Sequence, residues 1–170
     1  MKHLFLATIV LFIISSCQNN KSVTKEKIIT VDDLTKTAYE KVGDTITITG
    51  FCADMCHTGD YIVLCGADSS KAIQAIASPE LKSFDQKIKY NNVNLKGVLH
   101  ERRIDSVFLI NWETNLDNSL KTPNANPPAV AQLKEQIARI YDEIQKNYQE
   151  NGRNYWSQFT LQTLEYTINE

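Results

Sequence analysis

Thr45-Ile46-Thr47-Ile48-Thr49-Gly50-Phe51-Cys52 alternates polar and apolar side chains with a period of two. Successive side chains of a strand point to opposite faces, so this run fits a β-strand with one wet and one buried face. Its β-branched residues favour the same conformation. Val42-Gly43-Asp44 is the turn that leads into it. Residues 61–67 and 72–77 read as a second and a third strand, and residues 92–100 and 106–112 as a fourth and a fifth, joined by the charged stretch 101–105. Ser78-Pro79-Glu80 opens a helix, with Ser78 as cap, Pro79 in the first turn and Leu81, Phe84 and Ile88 at helical spacing. A short helix from Asp32 or Asp33 to Lys41 precedes the first strand.

Three strands, a helix and two strands, in that order, resemble the OB-fold, a five-stranded closed barrel with a helix between strands three and four. Residues 43–50, with Gly50 letting the first strand bend, Leu95-Lys96-Gly97-Val98-Leu99 as the fourth strand and residues 104–109 as the closing strand carry the resemblance. The expected fold class is therefore mainly β, of α+β type. Beyond it, residues 115–126 read as a connecting loop, and Asn126-Pro127-Pro128 opens a helix reaching about Tyr148. Val130, Leu133, Ile137, Ile140, Ile144 and Tyr148 form one apolar stripe on it, expected to pack on the barrel rather than against a second copy. Asn151-Gly152 stops the helix, and the second half of residues 155–168 reads as a strand that extends or covers the sheet edge.

The chain begins with Met1-Lys2-His3, an apolar run over residues 4–14 with one Thr, Thr8, and Ser15-Ser16-Cys17. About 20 apolar residues are needed to span a bilayer, so this run has the layout of a secretory signal instead. Ile14-Ser15-Ser16-Cys17 resembles the bacterial lipobox, which implies acylation of Cys17 after removal of residues 1–16. Residues 17–30 then form a polar lipidated tether, 31–116 the OB-like domain and 117–170 the helix and strand extension. Taken together, the chain resembles small bacterial envelope lipoproteins with a single OB-like domain, a family without an assigned activity. That resemblance implies a membrane-anchored protein facing the periplasm or the cell surface.

Three of the four cysteines fall close together. Cys52, Cys56, His57 and Cys65 form the pattern C-x3-C-H-x7-C within one expected hairpin. With Thr58-Gly59 as a two-residue turn, Cys56 faces Tyr61 and Cys52 faces Cys65, and all three thiols line one side. Directly opposed strand residues lie within bridging distance, and exported proteins sit in an oxidising compartment, so a Cys52–Cys65 disulfide is one reading. Three thiolates and an imidazole are also a valid set for zinc, and thiolates suit Cu(I), so Cys52, Cys56, His57 and Cys65 as ligands of Zn or Cu are another. Redox chemistry of a spare thiol and plainly unpaired cysteines complete the alternatives.

Composition narrows the function classes. With 42% hydrophobic and 22% charged residues among 170, the chain can build a core, and a net charge of −2 offers no basic face for phosphates. Tyr61 and Lys71 are the only aromatic and the only base on strands two and three, so nucleic acid is not an expected partner. The sequence carries no G-x-S-x-G, phosphate-cradling glycine loop or H-E-x-x-H. His100-Glu101-Arg102-Arg103 reads as a solvated turn, and Asp32, Asp33 and Asp117 as caps or loop residues. Trp112-Glu113 reads as core and rim rather than a sugar platform, and Tyr148, Tyr155, Trp156 and Tyr166 as packing residues. The expected function is that of a non-catalytic binding or scaffolding module, tethered to the membrane at Cys17, for a small ligand or protein partner. The alternative is a protein that binds a thiophilic metal ion.

Overall fold

The computed structural model describes residues 27–169. The expected signal segment and Cys17 lie outside the described residues. The elements run β1 (Ile28–Thr30), α1 (Val31–Lys41), β2 (Thr45–Met55), β3 (Tyr61–Cys65), β4 (Ala72–Ala77), β5 (Asn92–Asp105), α2 (Ser106–Ser119), α3 (Pro127–Asn151) and β6 (Tyr155–Ile168). A 3-10 turn, Gln86–Ile88, lies between β4 and β5.

Five strands close into a barrel of OB-like form. β2 pairs with β3, β3 with β4, β4 in parallel with β6, β6 with β5, and β5 returns to β2. β2 is long enough to change neighbours: its first half lies between β5 and the short parallel strand β1, and β3 takes over from Phe51. The period of two read from the sequence holds here, with Ile46, Ile48 and Cys52 turned inward. They meet Ile62, Leu64, Ile73, Ala75, Val93, Leu95, Leu99 and Leu161 in one core. Thr30 caps α1 by accepting from Asp33 N–H, and Val31, Leu34 and Ala38 bury the helix against the same core.

Two expected elements take other forms. The segment after β4 keeps its Ser78 cap, which accepts from Leu81 N–H, but not its helix. After one turn Lys82 adopts a left-handed φ of 66°, and the chain becomes a loop ending in the 3-10 turn. Phe84 and Ile88 are still buried in the barrel core, so the apolar spacing recorded burial and not backbone form. The expected fifth strand over 106–112 is the start of α2. β5 instead runs on through residues 101–105 to Asp105, whose carboxylate accepts from Phe108 N–H at 2.8 Å and caps α2. An apolar run of this length does not separate strand from helix by periodicity, and here the cap decides. The closing strand is β6, and the first part of the expected loop, through Ser119, is still α2.

β5 and β6 continue as a two-stranded ribbon past the barrel, with Ile104 opposite Trp156 and Arg102 opposite Gln158. The outer face of this ribbon receives α2 and α3, which form a second core from Ile104, Leu109, Leu116, Val130, Ile137, Ile140 and Ile144. The α3 stripe thus packs on α2 and the ribbon, while its last member, Tyr148, is exposed. Asn126 caps α3 by accepting from Ala129 N–H, and Gly152 ends it at φ 72°.

Candidate functional site

The cysteine hairpin departs from its expected register. Cys56 N–H donates to the Tyr61 carbonyl, which encloses a four-residue loop, and Met55 opposes Ile62 and Asp54 opposes Val63. A bulge at Ala53 then shifts the ladder by one residue, so Cys52 opposes Leu64 and Cys65 opposes Phe51. A slip of one residue moves a side chain to the other face of a strand. Cys52 accordingly points into the core with no exposed surface, while Cys65 lies half-buried on the outer face with Phe51. His57 is exposed on the loop. The structure therefore does not form the expected Cys52–Cys65 bridge, and all three described cysteines are free thiols. Nor does it gather Cys52, Cys56, His57 and Cys65 around one point. Among the described residues, no group of three or more His, Cys, Asp or Glu is placed to hold a metal ion.

The thiols differ chemically. Burial pushes the Cys52 thiol above its ordinary pKa. Cys56 Sγ accepts from Tyr61 N–H at 3.3 Å and lies 3.4 Å from the Thr58 hydroxyl, which also donates to Asp60 at 2.6 Å. The Thr58 hydroxyl and the N–H groups of Tyr61, Asp60 and Gly59 hold the Cys56 thiol below its ordinary value. Gly59 makes this loop possible: its φ is 77°, and a Cβ there would meet the Phe84 carbonyl at 2.7 Å.

A pocket of about 320 Å³ lies elsewhere, between the outer face of the ribbon and the α2–α3 hairpin. Ile104, Trp156 and Ile140 supply apolar lining, and Phe108 and Trp112 of α2 supply a further wall, their ring centroids 6.2 Å apart at 62°. Arg102 lies over the Phe108 ring at 4.8 Å. Asn111, Asn115, Gln136 and Gln158 complete the lining with Arg102. Among the described residues, none of these four amides and neither end of the Arg102 guanidinium is hydrogen-bonded to another protein group. No carboxylate belongs to the lining. A larger hollow of about 720 Å³ borders β1 and α1, but its wall includes Lys27 and adjoins chain outside the described residues.

Residues 106–112 read as a strand hid this pocket. Phe108, Asn111, Trp112 and Asn115 share one face only at helical spacing, and that spacing was the available signal. Trp112 and Trp156 do pack, as expected, but they also wall a cavity.

No family model and no curated protein matches the sequence. Among solved structures, one described as an aspartyl-tRNA synthetase from Leishmania major Friedlin is similar at a TM-score of 0.40 and 10% identity, over 89% of this chain. This chain spans only 22% of that one's length. At that score the likeness carries no argument about activity or partner.

Proposed function

We propose that this chain is a non-catalytic binding module of the bacterial cell envelope, tethered by acylation of Cys17, that captures a small ligand between its ribbon and its helical hairpin. One observation carries the binding role. Four amides and a guanidinium line a cavity floored by aromatic and aliphatic side chains and, among the described residues, make no hydrogen bond to another protein group. An apolar pocket with a few convergent polar groups is the usual form of a small-molecule site. Its lining holds Arg, Asn, Gln, Ile, Phe and Trp, a set that orients a ligand rather than one that moves protons. The layout of residues 1–17 supports the tether.

Two measurements test this reading. In a bacterial host, Cys17→Ser moves the protein from the membrane to the soluble fraction; membrane retention without acylation would refute the tether. A screen of neutral and anionic small molecules by tryptophan fluorescence finds ligands whose signal Trp112→Ala removes; hits indifferent to Trp112 would refute the pocket as the binding seat.

A further inference from the structure

The geometry points to a saccharide ring, neutral or uronic, as the ligand of this pocket, an inference that rests on the binding role proposed above. The chemistry of the lining selects among ligand classes. A divalent metal cation would need carboxylates, and the lining has none. A phosphate-rich ligand would need several bases, and Arg102 is the sole one, placed over the Phe108 ring. A hydrocarbon would strip water from five polar side chains and give them nothing to bond. Phe108 and Trp112 stand at 62°, so this pair does not make the parallel slot that sandwiches a flat base.

A pyranose meets each of these conditions. Its hydroxyls both donate and accept, as do the amides of Asn111, Asn115, Gln136 and Gln158, whereas the guanidinium only donates. Its C–H faces pack on aromatic rings, and its puckered outline suits rings set at an angle. One guanidinium beside otherwise neutral groups also admits a single sugar carboxylate. The volume, about 320 Å³, lies at the small end of ligand cavities and suits a ring or a short terminal segment rather than a long chain.

The test uses the full acylated chain in a zwitterionic detergent that carries no sugar. Cellotriose, maltotriose, N,N′,N″-triacetylchitotriose and trigalacturonic acid are titrated to millimolar concentration and read by tryptophan fluorescence and saturation-transfer NMR. Indole-3-acetate and a neutral tripeptide are titrated in parallel. At least one trisaccharide saturates, and preference for trigalacturonic acid over the three neutral sugars marks the uronic form. Trp112→Ala and Gln136→Ala each weaken that binding about tenfold, a loss of ~1.4 kcal/mol. Ile110→Ala, on the outward side of α2 and 55% exposed, leaves it unchanged. Gln136 is exposed on α3, where alanine is a good helix former, so its variant folds and remains informative if Trp112→Ala does not. Absence of saturable binding by all four sugars, or binding that both variants leave intact, overturns the saccharide assignment. If the indole or the peptide then binds in a Trp112-dependent manner, the binding module stands without its sugar; if no probe binds, both readings fall.

Discussion

Leu161→Ala measures whether the C-terminal strand is a cover or a stave of the barrel. The sequence suggests a strand that extends an edge, and an edge residue facing partial solvent would tolerate the change. The structure instead pairs Leu161 with Ala75 of β4 on one side and Leu99 of β5 on the other, with no exposed surface and full membership of the barrel core. Leucine-to-alanine changes at such sites cost about 2–5 kcal/mol, transfer and residual cavity together. The barrel should sit toward the upper part of that range, because strands hydrogen-bonded on both sides limit how far the neighbours collapse into the space. For a domain of this size each kcal/mol lowers Tm by roughly 2–4 °C, so a loss of ~4 kcal/mol is a fall of about 8–16 °C. Urea unfolding of the full chain followed by circular dichroism gives the free energy, with Leu164→Ala, 41% exposed on the same strand, as the comparison. A loss under about 1 kcal/mol, or an equal loss for Leu164→Ala, would show that β6 does not close the barrel.

Gly97→Ala should destabilise by about 1–3 kcal/mol, because a Cβ there would collide with the Gln162 carbonyl and come within 2.9 Å of Thr163 Cα at the β5–β6 irregularity; chemical unfolding measures it. Cys52 keeps its proton when folded beyond the ordinary thiol pKa, so the unfolded chain binds fewer protons there and stability falls as pH rises past about 8.5; Cys52→Ala should remove that slope. Cys56 has the opposite sign: its lowered value adds stability that is present above the ordinary thiol pKa and lost as pH falls through the folded value, so Cys56→Ala should steepen the alkaline decline. Mass mapping after brief iodoacetamide treatment should find Cys56 modified before Cys65, with Cys52 protected until unfolding; early labelling of Cys52 would contradict its burial. Chelation by EDTA, with the thiols kept reduced, should leave Tm unchanged, because the described cysteines and His57 are not gathered around one ion.

The parts of the fold legible in the sequence are those where local pattern and tertiary burial agree. The Thr45–Cys52 alternation, the 31–41 helix and the stripe from Val130 to Ile144 each carry one period and one buried face. The run 106–112 does not disclose its own form, because it is apolar without a clear period; its backbone is set by Asp105, a single capping side chain at the end of a charged stretch. Barrel closure was illegible for a different reason. The parallel β4–β6 pairing joins Gln74 to Thr160 and Ala77 to Thr163, and no local pattern announces a partner so far along the chain.

The cysteine site shows how little stands between two chemistries. The hairpin loop closes at the expected Cys56–Tyr61 pair, so counting outward from it would bring Cys52 opposite Cys65. Ala53 bulges out of the ladder, and that one unpaired residue turns Cys65 to the outer face while Cys52 keeps to the core. Residue spacing counts positions along the chain, whereas a bulge changes how many positions one strand spends against its partner. The pocket escaped by the converse route. Asn111 and Asn115 lie four residues apart on one helix, but Gln136 on another helix and Gln158 on a strand have no sequence relation to them, and only the packing of the α2–α3 hairpin on the ribbon assembles the set. A clustered motif was thus dispersed by one residue of register, and a dispersed set was gathered by tertiary packing, so the proposed binding role rests on side chains that no motif groups.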